Sequence, residues 1–412
     1  MKRNLLIVTP IFPRWVGDSV ASHTVHDLAV SLVRYYNVYL LCPHYFCAAD
    51  REEIEGVQIV RYRYFVPDKW QLLSSAEGLL ENIKLGFFAM LQVPFFVAAQ
   101  AYYLIRIMRK NEIDIVNTHW IFPQGLIYSL IRLFLKKPHI MTIHDTGVFS
   151  VSKFGFLGKM VMRFILKKTD IVLPVNTHIR YLLEKVAKTV FNHKIIHMGT
   201  DPDRYFYVGE KNALRKKIGV TKGAKIVLFV GKLQEKSGAH YLLQMAEILN
   251  RNHSDFVVLI LGTGAMEKSM KEWVVSKKLS DKIKFMGYVD SKAIPEYYSI
   301  SDIVVIPSVF DTDGIVDIPS VLLEAMSAGT PVAVSRISGV TDILKDGVNG
   351  WLFEPGNYYD MAKKVENMYN PKETEKVTAE ALKTARTYSW ENVCEQYHAV
   401  ISDVLAKYNP KF

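Results

Sequence analysis

Residues 307–332 read PSVFDTDGIVDIPSVLLEAMSAGTPV, and this segment is the most informative part of the sequence. Four apolar residues at 303–306 precede it and predict a buried parallel strand. Pro319 suits the first turn of a helix, where its missing N–H is not needed. The free amides and the positive dipole end of such a helix start attract phosphate. Glu324 would lie about one turn further in, able to accept hydrogen bonds from a ribose; the alternative is an ordinary helix with a solvated glutamate.

The chain is long enough for two domains, since 412 residues exceed the size of one ordinary hydrophobic core. Its three cysteines show neither metal-site spacing nor a disulfide framework, which favours a reducing compartment. The net charge of +10 lies entirely in residues 1–200, which carry 24 Lys and Arg against 14 Asp and Glu. Such asymmetry predicts an anionic partner: a membrane surface, a nucleic acid or a pyrophosphate-linked substrate. The alternative is a scatter of solvated surface lysines.

Short apolar runs alternate with helical stretches along the whole chain. In the first half the runs lie at 5–9, 38–42, 113–118, 140–144, 171–175 and 195–198. After residue 203 the pattern restarts, with runs at 226–230, 257–261, 283–286, 303–306 and 332–335. This alternation predicts two parallel sheets wrapped by helices, that is, two Rossmann-like α/β domains. We expect them at residues 1–198 and 199–388, followed by a capped amphipathic helix over residues 389–412.

Polar and glycine residues follow the predicted strands of the second half, where ligands bind in such domains. Lys232 and Lys236 come after the strand 226–230, and two cations there can neutralise a departing diphosphate as point charges. Gly262 and Gly264 follow the next strand and would let the backbone approach a ligand. A solvated loop is the alternative for the lysines.

Two histidines follow neighbouring predicted strands of the first half. His119 stands in the sequence THWIFPQG at 118–125, and His144 in TIHD at 142–145. Because the carboxyl ends of parallel strands meet at one edge of a sheet, both histidines should face the same cleft. The alternative is a pair of ordinary core histidines.

Two apolar segments of the first half raise the question of a membrane. Residues 85–105 are 21 residues without a charge, long enough to cross a bilayer. A span would separate the first strands from the strands they must pair with, so we expect a buried or membrane-facing helix instead. In residues 149–168, Phe, Leu, Ile and Met alternate with Lys and Arg, which is typical of an interfacial helix on anionic lipid. A core helix with a solvated basic side is equally compatible.

The motifs resemble those of retaining, two-domain glycosyltransferases of the glycogen synthase-like superfamily, the group called family four. Its signature, Glu-Gly-x-Pro-x-Val-Leu-Leu-Glu-Ala-Met-Ala-x-Gly-x-Pro-Val, matches closely from Pro319 to Val332. The forms His-Trp-x-x-Pro-x-Gly and Gly-x-Gly match at 119–125 and 262–264. The resemblance implies a GT-B fold, in which two Rossmann-like domains face a central cleft and the final helix packs back on the first domain.

The resemblance also implies roles for individual residues. His119 would lie beside the transferring sugar as a catalytic residue, Lys232 would act on the leaving group, and His144 and Asp145 would belong to the acceptor side. The implied donor-binding positions are Gly17, Lys232, Lys236, Gly264, Met286, Asp317, Ile318, Val321, Leu322 and Glu324.

Three positions depart from the family pattern. Val316 stands in place of the first Glu of the signature, Ser237 in place of a Lys, and Asp145 in place of a Gly. The missing Glu usually holds hydroxyl groups of the donor sugar. Its loss leaves three alternatives: an unusual donor, replacement by Asp313 or Asp317, or loss of catalysis.

We therefore expect a retaining glycosyltransferase with no cofactor, because the nucleotide sugar is a substrate. Asp311 and Asp313 form an Asp-x-Asp pair, which binds a divalent metal in another class of glycosyltransferases, but we expect no metal here. The expected partners are a nucleotide-sugar donor, a lipid-linked or polysaccharide acceptor and an anionic membrane surface, without nucleic acid. The expected location is cytoplasmic and peripheral to the membrane. The rivals are a non-catalytic sugar-nucleotide-binding subunit and a nucleotide-sugar epimerase on the same fold.

Overall fold

The computed structural model describes residues 2–15, 18, 23–74, 82, 86–144, 155–207, 209–310 and 320–408. The chain forms two compact units of α/β structure. The first comprises Met1–Gly199 with Trp390–Phe412, and the second comprises Thr200–Ser389. The breaks lie one residue after each of the boundaries expected from the sequence.

The first unit is built on a seven-stranded sheet of order β3-β4-β2-β1-β5-β6-β7. Only β3 is antiparallel to its neighbour; every other pair is parallel. The strands are β1 (Arg3–Val8), β2 (Tyr36–Pro43), β3 (Arg51–Ile54), β4 (Val57–Tyr62), β5 (Ile115–His119), β6 (His139–Ile143) and β7 (Ile171–Pro174). The central strands are buried along most of their length, as expected for a sheet with helices on both faces.

Among the residues that the structure describes, five α-helices of this unit precede the second unit in the chain. They are α1 (Thr24–Leu32), α2 (Phe87–Lys110), α3 (Leu126–Ile131), α4 (Gly155–Lys167) and α5 (Thr177–Ala187). The long apolar helix α2 packs one face on the sheet, through residues such as Phe96 and Leu104. By length and composition alone it is the one helix of the described chain that could cross a membrane.

The second unit is built on a six-stranded parallel sheet of order β10-β9-β8-β11-β12-β13. Its strands are β8 (Lys225–Val230), β9 (Phe256–Leu261), β10 (Ile283–Gly287), β11 (Ile303–Ile306), β12 (Val332–Ser335) and β13 (Trp351–Phe353). Its helices are α6 (Lys211–Lys217), α7 (Ala239–Asn252), α8 (Glu267–Ser276), α9 (Ile294–Ile300), α10 (Ser320–Ser327), α11 (Val340–Ile343), α12 (Tyr358–Val365) and α13 (Pro371–Thr387). Two buried clusters, one on each face of the sheet, form the core.

The final helix, α14 (Trp390–Tyr408), returns to the first unit and packs against α1. Its buried face adds to the cluster that also contains β1 and β2. Polar contacts also join α14 to the rest of the first unit: Tyr36 Oη lies 2.8 Å from His398 Nδ1, and Cys394 Sγ donates to the carbonyl of Ser31. The C-terminal segment is thus part of the core of the first unit.

The sequence pattern was wrong about one strand and missed three. Residues 195–198 are not a strand, although Lys194 and Ile196 donate main-chain hydrogen bonds to β7. The segment runs beside β7 only irregularly, with one bridge at His193. The short strands β3, β4 and β13 were not predicted. The sequence of β3, REEI, has one apolar residue, and β13 has three residues, so neither gives a clear periodic signal.

His139, the first residue of β6, is a fully buried structural histidine. Its Nε2 lies 2.8 Å from Thr118 Oγ1 on β5, and its ring packs edge-on against Tyr128 on α3 at 4.7 Å. Burial, which would strip the imidazolium of its hydration, and then the nearby Arg132 guanidinium lower the pKa of His139 to about 3. His139 is therefore neutral in the folded protein at physiological pH.

We predict that His139 makes the fold sensitive to acid. Its folded pKa lies below the unfolded value, so the unfolded chain binds the extra proton. The stabilising contribution is complete above about pH 6.5 and is lost as the pH falls toward about 3. When the pH falls from about 7 to about 5, protonation of His139 in the unfolded chain should lower the free energy of unfolding by roughly 2 kcal/mol.

Urea unfolding of His139→Gln at these two pH values measures that cost. The variant should lose roughly 2 kcal/mol less than the wild type on acidification. His253→Gln, at a partly exposed histidine of the second unit, is the control and should follow the wild type. Equal losses in wild type and His139→Gln would contradict the assignment.

Candidate functional site

The carboxyl ends of β8, β9 and β10 carry loops that are bonded main chain to main chain. The amide of Gly231 donates to the carbonyl of Leu261 at 3.0 Å, and Leu233 donates to Thr263 at 2.9 Å. Gly262 in turn donates to the carbonyl of Gly287 at 2.7 Å. These bonds hold the three loops at one edge of the second sheet, the edge at which ligands bind in such folds.

Three of the loop positions require glycine, and at the first of them, Gly264, a Cβ would lie 2.3 Å from the carbonyl oxygen of Leu233. Gly262 has φ +133°, and a Cβ there would lie 1.9 Å from the carbonyl oxygen of Gly231. Gly238 has φ +67°, and a Cβ there would lie 1.8 Å from the carbonyl oxygen of Pro307 at the end of β11. Any larger residue would push these loops apart. Gly264, in the turn after β9, is exposed.

The two lysines predicted to meet a diphosphate stand on these loops. Lys232 directly follows Gly231, and Lys236 lies in a short 3-10 turn. The carbonyl of Lys236 accepts a hydrogen bond from the amide of Val309 at 3.0 Å. Both side chains are exposed, and neither makes an ion pair within the described ranges. Ser237, which replaces the family's Lys, closes the turn by donating to the carbonyl of Gln234 at 2.6 Å. Within the described residues, Lys232 and Lys236 are therefore two cations at this edge without an ion-pair partner.

Glu324 on α10 is held by a tyrosine that the sequence did not single out. Tyr298 on α9 is fully buried and donates from its hydroxyl to Glu324 Oε2 at 2.9 Å. Burial, and then the Glu324 charge, raise the pKa of Tyr298 well above its usual range, so the phenol stays protonated and donates. Glu324 is only partly buried, and its Oε1 has no partner in the described part of the chain. One oxygen is fixed and the other is available to a ligand.

The remaining predicted donor-site residues fall into three groups. Met286 on β10 and Val321 on α10 are partly buried. Leu322 is fully buried in the core, so its side chain cannot contact a ligand and only its main chain could do so. Gly17, Asp145, Asp317 and Ile318 lie outside the described residues, as do Asp311, Asp313 and Val316.

The two predicted histidines of the first unit are in direct contact. His119 ends β5, and His144 follows β6; the atoms His119 Nδ1 and His144 Nε2 lie 2.6 Å apart. The rings stack at 4.9 Å with an interplanar angle of 19°, and Trp120 lies 4.6 Å from His144. His119 is fully buried behind His144, which is partly exposed. Contact with a ligand would thus fall to His144 before His119.

Both histidines are neutral. Burial lowers the pKa of His119 well below its usual range, and the neighbouring His144 lowers it further. Burial also lowers the pKa of His144 to about 3. The pair can therefore offer hydrogen bonds at physiological pH but no positive charge.

Buried polar side chains support the histidine pair from behind. Asn117 Nδ2 lies 3.3 Å from His119 Nε2, and Thr142 Oγ1 donates to Asn117 Oδ1 at 3.2 Å. Tyr397 on α14 lies with its hydroxyl 3.2 Å from Thr142 Oγ1. No sequence pattern pointed to these three residues, since they meet across strands and a distant helix.

One group of side chains in the described part of the chain has the spacing of a metal site. His23, His26 and Asp27 lie together at the start of α1, all partly buried. The group includes none of the residues predicted to bind the donor or the acceptor.

Two family models match the chain, one over each half. The family described as Glycosyltransferase Family 4 matches residues 21–204, and the family described as Glycosyl transferases group 1 matches residues 210–384. An uncharacterized glycosyltransferase of Methanocaldococcus jannaschii is 29% identical to this chain over 317 residues. That match covers 73% of this chain and 78% of the relative.

Solved structures share the fold over almost the whole chain. Sucrose-phosphate synthase from Thermosynechococcus elongatus has a TM-score of 0.77 at 18% identity, covering 98% of this chain and 100% of that one. HepE from Anabaena, solved with UDP, has a TM-score of 0.72 at 15% identity, covering 98% and 100%. The two family models together span both units, and the fold agrees with them. The chain therefore belongs to the GT-B glycosyltransferases of the family-four type.

Proposed function

We propose that this glycosyltransferase moves a sugar from a nucleotide-sugar donor to a lipid-linked or polysaccharide acceptor, with retention and without a metal. The observation that carries the donor assignment is the half-engaged carboxylate of Glu324 in the second unit. Tyr298 holds one of its oxygens at 2.9 Å and leaves the other for a ribose hydroxyl. HepE, which shares the fold, binds UDP, and this supports a nucleotide ligand here as well.

The two exposed lysines suit the leaving diphosphate. Lys232 and Lys236 stand on the loop after β8, where no carboxylate of the described ranges neutralises them. As the bond from the anomeric carbon to the diphosphate oxygen breaks, negative charge builds on that oxygen. Preorganised cations stabilise such developing charge without reorganising at the moment of reaction. Lys232 and Lys236 are the residues proposed for that role.

The acceptor is assigned to the first unit. His144 is neutral and partly exposed, and it suits a sugar hydroxyl better than an anion. We infer attack on the same face of the sugar that the diphosphate leaves. The acceptor oxygen bonds to the anomeric carbon, and the departing diphosphate takes the acceptor proton. This route accounts for retention without a protein nucleophile.

Exposed apolar side chains on the first unit favour a peripheral membrane location on the cytoplasmic side. The helices α2, α3 and α4 lead to β5, β6 and β7, which follow one another toward one edge of the sheet. Because such crossovers are right-handed, the three helices cover the same face of the sheet, with α3 packed between the others. Phe87 near the start of α2 is 77% exposed, and Phe156 near the start of α4 is 76% exposed. Residues 149–154 of the predicted interfacial helix lie outside the described chain; α4 is its remainder. With the charge of +10 in residues 1–200, this surface suits anionic lipid.

Two rival functions use the same fold. A non-catalytic binding subunit would bind the donor but release no sugar, even to water. A nucleotide-sugar epimerase would interconvert two nucleotide sugars without an acceptor. Slow hydrolysis of a bound donor favours the transferase over the subunit, and the appearance of an isomeric nucleotide sugar would favour the epimerase.

We predict that Glu324→Ala weakens UDP binding. The change removes a charge-assisted hydrogen bond worth roughly 1.5–3 kcal/mol, so the affinity should fall roughly ten- to hundredfold. Tyr298→Phe, which leaves the carboxylate but removes its anchor, should give a smaller loss. Glu272→Ala, on the exposed face of α8, is the matched control. Calorimetric titration with UDP measures all four proteins, and unchanged affinity in Glu324→Ala would mean that the nucleotide site lies elsewhere.

We predict that transfer survives an excess of chelator. Lysines and helix amides would neutralise the diphosphate here, so a divalent ion is not required. The measurement is release of nucleoside diphosphate from the donor with and without EDTA. Loss of activity in EDTA that Mn²⁺ restores would point instead to a metal held by Asp311 and Asp313.

We predict binding to anionic vesicles through α2 and α4. Flotation with phosphatidylglycerol vesicles should recover the protein, and binding should weaken with salt because exposed charges are screened beyond roughly 8 Å at physiological ionic strength. Phe87→Ser with Phe156→Ser should reduce recovery. Phe206→Ser in the second unit, where the side chain is 67% exposed, should not. Failure of the wild type to bind at low salt would refute this location.

A further inference from the structure

The buried hydrogen bonds behind the histidine pair form one continuous chain within the first unit. It runs from Tyr397 through Thr142, Asn117 and His119 to His144, with successive distances of 3.2, 3.2, 3.3 and 2.6 Å. The first four residues are fully buried, so water cannot replace a missing partner. The hydroxyl hydrogens of Tyr397 and Thr142 must therefore find their acceptors inside this chain.

Counting those hydrogens gives the chain a direction. The Tyr397 hydroxyl has one partner among the described residues, Thr142 Oγ1, so it donates there. The Thr142 hydrogen then goes to Asn117 Oδ1, which orients the amide so that its Nδ2 donates to His119 Nε2. His119 Nε2 is consequently an acceptor, and its proton sits on Nδ1.

The direction continues into the partly exposed histidine. His119 Nδ1–H donates to His144 Nε2 across 2.6 Å. Because both rings are neutral, each carries a single N–H, and that of His144 is on Nδ1. No described residue accepts a hydrogen bond from this Nδ1–H.

We infer that Thr142 is a positioning residue that, through Asn117, fixes His119 and His144 as Nδ1–H tautomers, so that His144 presents a hydrogen-bond donor to an oxygen of the acceptor. This rests on the proposed transferase function for the identity of the ligand, but the tautomers follow from the hydrogen bonds alone. With its outward nitrogen protonated, His144 cannot act as the base that activates the acceptor hydroxyl. Its role is to hold an oxygen lone pair.

In the alternative arrangement the hydrogen bonds run in the reverse direction, and Thr142 disfavours it. If the Asn117 amide turned over, its Nδ2 would donate to Thr142, and one hydroxyl hydrogen of the buried pair would be left without an acceptor. An unmet buried donor costs enough to favour the forward direction by roughly five- to 150-fold. Both histidines should therefore be mainly Nδ1–H in solution.

Histidine ¹⁵N chemical shifts of the full-length protein test this, since they distinguish Nδ1–H from Nε2–H. Signals are assigned with His119→Gln and His144→Gln. Thr142→Val removes the hydroxyl that orients Asn117, so both histidines should change from mainly Nδ1–H to a more even mixture of the two tautomers. Thr142→Ser restores the hydroxyl and should restore the wild-type shifts.

Tyr397→Phe separates the tautomer effect from a packing defect. It deletes a buried hydroxyl of the same chain, but Thr142 still donates to Asn117, so the tautomers should stay as in the wild type. Tyr128→Phe, at another fully buried tyrosine of the first unit, is a second control. Nε2–H in either wild-type histidine, or unchanged tautomers in Thr142→Val, would overturn the inference.

A measurement of UDP binding distinguishes a failure of this inference from a failure of the proposed function. Thr142→Val lies in the first unit and should bind UDP as the wild type does. A wild-type protein that fails to bind any nucleoside diphosphate would count against the donor assignment, while the measured tautomers would still decide the role of Thr142.

Discussion

Main-chain hydrogen bonds between strand-end loops are the constraint on which the second unit depends. The loops after β8, β9 and β10 satisfy each other's amides, and the close approach of the first two loops is possible only because Gly262 and Gly264 have no Cβ. The same bonds fix where the loop carrying Lys232 and Lys236 begins and ends. A rigid backbone thus carries two flexible cations, an arrangement that suits a ligand whose charge grows during reaction.

The first unit is subject to a different constraint: polar side chains buried inside its parallel sheet need hydrogen-bond partners. Asn117 and Thr142 lie on neighbouring strands with no access to water, and they can be there only because each has a hydrogen-bond partner. Helix α14 supplies the last partner, Tyr397, from the far end of the chain. The C-terminal segment therefore completes both the apolar core and the polar chain that ends at His144.

Much of the architecture could be predicted because buried parallel strands are continuous apolar runs. The runs at 303–306 and 332–335 coincide with β11 and β12, and the restart after residue 203 indicated a second sheet. The strand β3 was missed because its charged residues obey no periodic pattern, and 195–198 was overpredicted because apolar character alone does not make a strand. GT-B membership, suggested by the motifs, is confirmed by the family models and the shared fold.

The candidate site was only partly predictable. Glu324, Lys232 and the two histidines stand out because motif and strand position coincide. Tyr298, Asn117 and Thr142 do not, since their roles depend on contacts between elements far apart in sequence. The buried position of Leu322 was also unforeseen, because a helix residue next to a ligand-facing one can point into the core.

We propose that the second unit binds a nucleoside diphosphate and its sugar conjugate. The most direct measurement is the melting temperature of the protein with a panel of nucleoside diphosphates and nucleotide sugars. We expect that one base stabilises the fold both as the diphosphate and as at least one sugar conjugate, at concentrations near ordinary substrate levels. A panel in which no nucleotide and no nucleotide sugar raises the melting temperature would contradict it.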